Sequence, residues 1–166
     1  MPKRVLTDEE IMPILRTTVA RLAELTDGLS NAELRVPPSD GEWSINDVLA
    51  HLRACNDTLG GNMRRTLTED HPAWRAMSPR TWQKKSGYHD WQFKPAFEDF
   101  KVKRAELLTV LEPVPSAAWA RTATVNVPPN KVFEYSVTYY GDWLAAHERA
   151  HLRHLPTIVA EVRRAR

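Results

Sequence analysis

The apolar residues of the N-terminal half recur at helical spacing in two segments. In the first, Thr7-Asp8-Glu9-Glu10 fits a capping box with Thr7 as the N-cap residue. The apolar positions that follow are Ile11, Ile14, Leu15, Leu22, Leu25 and Leu29. A second helix is predicted after Ser44, with apolar positions at Ile45, Val48, Leu49, Leu52 and Leu59. Gly60-Gly61 weakens the prediction that this helix continues toward Leu67, because glycine is a poor helix former.

The C-terminal half predicts two further helices. The third runs from about Lys94 to Leu111, and Pro113 and Pro115 end it. Its core positions are Phe93, Phe97, Phe100, Leu107, Leu108 and Leu111. The fourth begins near Ser136 and continues to the C-terminus. Four long helices joined by two long connections predict an all-α protein built as a four-helix bundle.

The connection between the second and third helices is unusually rich in aromatic residues. Residues 70 to 92 lack helical periodicity but contain Trp74, Trp82, Tyr88 and Trp91. Because so many aromatic side chains are rarely left in water, we expect a long loop that folds onto the bundle. Such a loop either covers a small-molecule site or only caps the core. Residues 116 to 135 are predicted to be irregular, with an extended stretch over 125–129.

Composition and charge narrow the class of protein. The chain has 166 residues, of which 42% are hydrophobic and 27% charged, as expected for one globular domain over residues 1–166. It contains no apolar run of about 20 residues and no N-terminal signal core, so we expect a cytoplasmic protein without a membrane partner. The net charge of +2 and the lack of a nucleic-acid motif predict no nucleic-acid partner. Arg163, Arg164 and Arg166 are instead interpreted as complementing the negative end of the last helix.

The last predicted helix carries two histidines that could share a metal ion. His147 and His151 are four residues apart, which places their Cβ atoms about 5–6 Å from each other on a helix. They share a face with apolar positions such as Leu144 and Ile158, so both are expected to point into the bundle. The single cysteine, Cys55, excludes an internal disulfide and a zinc site with two or more cysteines.

A third histidine lies on the second predicted helix. His51 falls between Val48 and Leu52, at the edge of the apolar stripe. Burying an imidazole without a partner is costly, and metal sites in bundles are built from side chains on facing helices. His51 is therefore either a third ligand or a hydrogen-bonded core histidine. Its distance along the sequence does not by itself bring it to His147 and His151.

The sequence leaves alternative roles for three residues that lie near these histidines along the chain. His154, one turn beyond His151, is interpreted as an outer partner of the site, a proton shuttle, or a polar residue at the bundle end. Cys55 could approach a metal as a thiolate, although a buried inert thiol is favoured. His147-Glu148-x-x-His151 also fits the zincin signature, with Glu148 as general base. Thr157 stands where the extended signature has histidine, so a supporting or surface role is favoured for Glu148.

These motifs together resemble the DinB-like superfamily, which includes the YfiT-type proteins. The resemblance rests on Gly41-Glu42-Trp43-Ser44-Ile45 leading into Val48-Leu49-Ala50-His51-Leu52, and on the pair His147 and His151. It covers most of the chain, from the first helix to the C-terminus. It implies a bundle with up-down-down-up topology in which His51, His147 and His151 bind one divalent ion, either zinc, nickel or iron. Dimers are common in the family, so a homodimer is among its implications.

The resemblance and the histidines together predict a function. Three neutral nitrogens leave coordination positions open, as in catalytic sites, and a metal there lowers the pKa of bound water or thiol. We predict a metal-dependent enzyme, first of all an S-transferase that joins a low-molecular-weight thiol to a small electrophile. The alternatives are a YfiT-type metal-dependent hydrolase and a metal-binding stress-response protein without turnover. A cationic or polar cleft beside the metal would favour the transferase.

Overall fold

The computed structural model describes residues 3–166. The helices are α1 (Asp8–Thr26), α2 (Asn31–Arg35), α3 (Ile45–Cys55), α4 (Gly61–Thr68), α5 (Pro79–Ser86), α6 (Phe93–Leu111) and α7 (Val137–Arg164). The strands are β1 (Ala73–Arg75), β2 (Thr122–Val127) and β3 (Lys131–Ser136). Among these residues, no helix combines the length and apolar character needed to cross a membrane.

The predicted helix starts are confirmed by their caps. Ser44 accepts a hydrogen bond from the backbone N–H of Asp47, whose carboxylate in turn accepts from the backbone N–H of Ser44. Ser136 caps α7 in the same way, by accepting from the backbone N–H of Tyr139. A side-chain oxygen at this position satisfies a donor that has no partner inside the helix. These two caps fix the starts of the helices that carry the three histidines.

The second predicted helix does continue through its two glycines. A π-helical turn, Asn56–Gly60, joins α3 to α4. Gly60 suits this position because a Cβ atom would lie 2.8 Å from Cδ2 of Leu107 on α6, and that side chain would have to shift. The glycine thus permits a close approach between two helices, and packing outweighs its poor helix propensity.

The four long helical segments form a bundle. α1 and α3 each pack against both α6 and α7. α1 and α7 run in the same direction, since Leu6 N donates to Asp142 and Arg163 donates to the Asp27 carbonyl. Two apolar clusters fill the bundle along its length. A buried polar group of Thr18, Asn56, Arg104 and Glu148 lies between them along the helices.

A small sheet completes the fold and was not predicted. β1 pairs in parallel with β2, and β2 pairs antiparallel with β3, so that Val125 faces Phe133. The predicted extended stretch over 125–129 overlaps only the end of β2. The sheet could not be predicted because β1 has only three residues and its hydrogen-bonding partner, β2, lies about 50 residues later in the sequence.

The segment over residues 70–92 is more regular than the predicted loop. It contains β1, α5 and a 3₁₀ turn at Tyr88–Asp90. Its aromatic side chains pack on α3 and the π-turn: Trp82 Nε1 and the Tyr88 hydroxyl both donate to the carboxylate of Asp57. The guanidinium of Arg53 lies 3.7 Å from the Tyr88 ring centre. These contacts hold α5 beside the histidines of the bundle.

Candidate metal centre

The structure brings His51, His147 and His151 together. The Nε2 atoms of His51 and His147 are 2.7 Å apart, and those of His147 and His151 are 3.2 Å apart. One nitrogen from each ring lies within 4.8 Å of the others. Three imidazole nitrogens that face a common point are a donor set that suits zinc, nickel or iron. The packing of α3 against α7 brings His51 to the other two histidines, which its position in the sequence could not show.

Trp43 holds the imidazoles from the N-terminal end of α3. Its ring stacks on His151 with an interplanar angle of 7° and a centroid distance of 6.0 Å. The Trp43 and His51 rings are 5.0 Å apart. Because Trp43 directly precedes the N-cap Ser44, the capping box of α3 also places the indole over the site. Packing on both rings restricts their rotation, so the nitrogens stay oriented toward one another.

Gln83 sets the tautomer of His51. Its Oε1 lies 3.0 Å from Nδ1 of His51 and accepts a hydrogen bond from that nitrogen, which therefore carries the ring proton. Nε2 of His51 is then unprotonated and presents its lone pair to the other two histidines. An outer hydrogen bond of this kind commonly orients metal-binding histidines. Sequence analysis did not identify Gln83, because it lies on α5 in a segment without an apolar stripe to indicate its orientation.

The three histidines are neutral near pH 7. Burial lowers the pKa of His151 to about 4, and the charges that His147, His51, His154 and Arg80 would carry lower it further. Burial also lowers the pKa of His51 and of His147. Protons therefore compete weakly for these nitrogens, which is the condition for binding a cation at neutral pH.

The histidines line one wall of an open cleft of about 450 Å³. Its other lining residues are Trp43, Ser78, Pro79, Arg80 and Trp143. Arg80 is the only charged side chain among the described lining residues, since the imidazoles are neutral, and none of the ion pairs within residues 3–166 involves it. Its guanidinium lies 5.4 Å from the Trp43 ring centre. The cleft thus combines aromatic walls with one free cation and, in the described chain, no lining carboxylate.

Glu148 faces away from the cleft. Its carboxylate is fully buried, where it accepts from the Thr18 hydroxyl at 2.7 Å and pairs with the guanidinium of Arg104. A surface role is therefore wrong, and a general base at the histidines is excluded by this orientation. The zincin signature over His147–His151 is a coincidence of spacing.

Cys55 and His154 are not part of the nitrogen cluster. Cys55 Sγ is buried 3.5 Å from Nε2 of His51, and burial raises the pKa of this thiol to about 12. Its environment fits the favoured inert thiol. His154 is exposed one turn beyond His151 and lines a shallow pocket beside Trp43.

Stability of the metal-free protein should decrease as the pH falls below about 6.5. The folded state holds His151 with a pKa of about 4, whereas the unfolded chain has an ordinary histidine pKa. Between these two pKa values the unfolded state binds more protons than the folded state, so acid favours unfolding. The contribution of His151 to the free energy of unfolding is fully present only above the pKa of the unfolded chain. Urea denaturation of chelator-treated protein at several pH values measures this slope. A His151→Gln variant, which cannot titrate, should show a smaller slope; an equal slope would contradict this origin.

Replacing Gln83 by leucine should weaken metal binding by about 10–100-fold. The variant removes the acceptor for Nδ1 of His51, so the Nε2 lone pair is no longer fixed. Isothermal titration with Zn²⁺ measures the affinity. Lys84→Leu, an exposed change on the same helix, is the matched control and should bind as the parent does. Equal affinity in the Gln83 variant would show that this hydrogen bond does not orient the ring.

The fold and the site together define the class of this protein, which is a helical bundle with a candidate metal centre of three histidines. The DinB superfamily profile matches residues 14–155, and the chain belongs to this family. A relative from Geobacillus thermodenitrificans (strain NG80-2), named "Putative metal-dependent hydrolase", is 24% identical over 82% of this chain and 81% of its own. The YuaE protein of Bacillus subtilis (strain 168) is 28% identical over 83% of this chain and 90% of its own.

A solved structure has the same fold. YfiT from Bacillus subtilis matches with a TM-score of 0.71 over 95% of this chain and 90% of its own, at 17% sequence identity. YfiT is described as "a probable metal-dependent hydrolase with an unusual four-helix bundle topology". At this identity the similarity concerns the fold of the bundle.

Proposed function

We propose that this protein is a metal-dependent hydrolase whose metal ion is bound by His51, His147 and His151. The observation that carries the proposal is the convergence of three neutral imidazole nitrogens at the wall of an open cleft. The names of the Geobacillus relative and of YfiT support hydrolysis over other metal chemistry. Sequence analysis predicted the transferase first and the hydrolase as an alternative, whereas the hydrolase is now proposed first.

We also propose the up-down-down-up order of helices for the bundle. Contacts between pairs of helices support it. α1 and α7 run in the same direction. Trp43 precedes His51 along the chain but contacts His151, which follows His147, so these two contacts support an antiparallel arrangement of α3 and α7. Arg53 pairs with Asp99 and Asn56 with Arg104, so α3 and α6 run in the same direction.

The residues of the chain divide the work of such a reaction. A divalent ion would act as a Lewis acid on the substrate and promote ionisation of the nucleophile. His51, His147 and His151 would hold it and leave coordination positions toward the cleft. Gln83 orients His51, while Trp43 and Trp143 limit the access of bulk water. Arg80 provides a positive charge for an anionic part of the substrate or for charge that develops during the reaction.

A second candidate is the thiol-dependent S-transferase. The observation in its favour is Arg80, a cation in the cleft without an acidic partner in the described chain. Low-molecular-weight thiols that carry carboxylates would find an ion-pair partner there. Replacing Arg80 by glutamine should then raise KM for such a thiol more than it lowers kcat. The exposed Lys84→Gln variant on the same helix is the charge-matched control.

The two candidates are separated by assaying the same metal-loaded protein with and without thiol. One set of reactions offers activated esters and amides in water, and the other offers an epoxide or haloarene with a panel of thiols. Hydrolysis that needs metal, is lost in His147→Ala and persists in His154→Ala supports the main proposal. Thiol consumption above background with the same dependence supports the transferase. Silence in both sets with a full complement of metal would overturn both and leave a binding role.

A further inference from the structure

A second cavity opens beside the histidine cleft. It has a volume of about 190 Å³, and its aromatic and apolar walls include Met77, Trp74, Tyr135, Tyr139, Tyr140 and Trp143. We call it the aromatic annex. Ser78 and Trp143 line both the annex and the histidine cleft, so the two spaces are adjacent. Tyr139 and Trp143 are each 39% exposed, which leaves the annex open to solvent on one side.

The annex lies at a defined distance from the histidines. Tyr140 precedes His147 by seven residues on α7, which is about 10 Å along the helix axis at 1.5 Å per residue. Trp143 lies between them, one turn before His147. On the opposite wall, Leu59 follows His51 by eight residues along α3 and the π-turn. A ligand that fills both spaces must therefore span roughly two helical turns.

The walls of the annex favour a ring over a polar group. None of its described lining residues carries a charge. Tyr135 and Tyr139 stack with ring centroids 4.0 Å apart, and Tyr140 meets Tyr139 edge to face at 5.3 Å. Burial raises the pKa of Tyr139 and of Tyr140 to about 12, so both hydroxyls stay neutral. Aromatic rings gain from stacked and edge-to-face contacts of this kind, while an unpaired polar group loses hydration.

The size of the annex limits what it can hold. Sites for drug-sized ligands have volumes of about 300–1,000 Å³. The annex is smaller than this range and fits a single ring.

We propose that the aromatic annex binds the aryl group of the substrate, joined by a linker of several bonds to the bond that reacts at the histidines. The position of the reacting bond rests on the proposed function, whereas the binding of an aryl group in the annex does not. The substrate class is thus an arylalkyl ester or amide rather than a compact aliphatic one. Trp143, at the junction of the two spaces, contacts the linker.

Binding of a ring-bearing probe without any reaction tests the inference. The probe is 4-(4-fluorophenyl)butanol, with 6-fluorohexanol as an aliphatic comparison, and ¹⁹F NMR titration gives both affinities. Ala76→Trp fills the annex from an exposed position, and Ala73→Trp places the same side chain on β1 away from it. We expect Ala76→Trp to weaken binding of the aryl probe by about tenfold or more and Ala73→Trp to leave it unchanged. Equal binding in Ala76→Trp and the parent, or equal affinity for the two probes, would overturn the proposal.

Two further measurements keep the outcome interpretable. Circular dichroism melting shows whether Ala76→Trp is folded; if it is not, Tyr139→Ala, which removes an annex wall, must weaken aryl binding instead. The titration is repeated after the metal has been removed by a chelator. Aryl binding by a metal-loaded protein that shows no hydrolase activity would refute the proposed function alone. Hydrolysis without preference for aryl substrates would refute the annex alone.

Discussion

The His147→Ala variant is expected to lose its metal ion and its activity together. Nε2 of His147 is the central atom of the cluster, 2.7 Å from that of His51 and 3.2 Å from that of His151. Its removal leaves two nitrogens that no longer share a neighbour. Loss of an outer hydrogen-bond partner already weakens metal binding by about 10–100-fold, so loss of a ligand should exceed this. Elemental analysis of purified protein and a zinc titration measure the change.

The same variant should abolish stabilisation by metal. An ion that binds only the folded state at a concentration a thousandfold above its Kd stabilises a protein by about 4 kcal/mol. For a chain of this size that corresponds to a rise in Tm of roughly 8–16 °C on adding zinc or nickel to stripped protein. His154→Ala is the matched control, since His154 is exposed on the next turn of α7. A stoichiometric metal ion in His147→Ala, or an unchanged Tm in the parent, would contradict the assignment.

Replacing Glu148 by glutamine should cost about 3–5 kcal/mol of the free energy of unfolding. Arg104 and Glu148 are both almost fully buried, and the Glu148 carboxylate is the only anion that the buried guanidinium contacts within residues 3–166. The variant leaves this guanidinium charged and without its counter-ion in the core. Urea denaturation measures the loss. The exposed pair Arg4–Glu10 provides the control, because Glu10→Gln should change stability little.

The kinetics of the Glu148 variant distinguish its structural role from a chemical one. Under the zincin interpretation, kcat should fall strongly while stability changes little. The burial of Glu148 predicts the opposite: a lower urea midpoint, with metal content and kcat of the folded fraction preserved. Replacing both partners, Glu148→Leu with Arg104→Met, should recover part of the lost stability, since no buried charge then lacks a partner. Failure to recover any would place the effect in packing.

The long helices could be predicted because their signals are local. Thr7, Ser44 and Ser136 stand immediately before apolar stripes, and each directly precedes an observed helix. The proximity of His147 and His151 could be predicted equally well, because a spacing of four residues along a helix determines their separation. The signals for α5 were present too: Ser78 caps it, Pro79 occupies its first position, and Gly87 ends it in a left-handed conformation. These capping residues were not sufficient to predict α5, because the segment lacks an apolar stripe.

The remaining features depend on contacts distant in sequence. His51 meets His147 only because α3 packs against α7, and Gln83 reaches His51 only because α5 is held on α3. Glu148 was assigned a supporting or surface role because the zincin signature around it is incomplete, with Thr157 in place of histidine. Its burial follows from Arg104, which approaches from α6, 44 residues earlier. No spacing within α7 indicates that partner.

The site is divided between the bundle helices and the connecting segments over residues 73–91 and 122–136, and this division bears on how new specificities can arise in evolution. All three histidines lie on α3 and α7, whereas Arg80 lies on α5 and much of the annex wall lies on or beside the sheet. Asp57, which anchors the first of these segments through Trp82 and Tyr88, lies on the π-turn. Substitutions in the connecting segments can therefore alter which molecule is accepted while the three histidines are retained. Paralogues that descend from one such ancestor should keep the histidines and diverge most over residues 73–91 and 122–136.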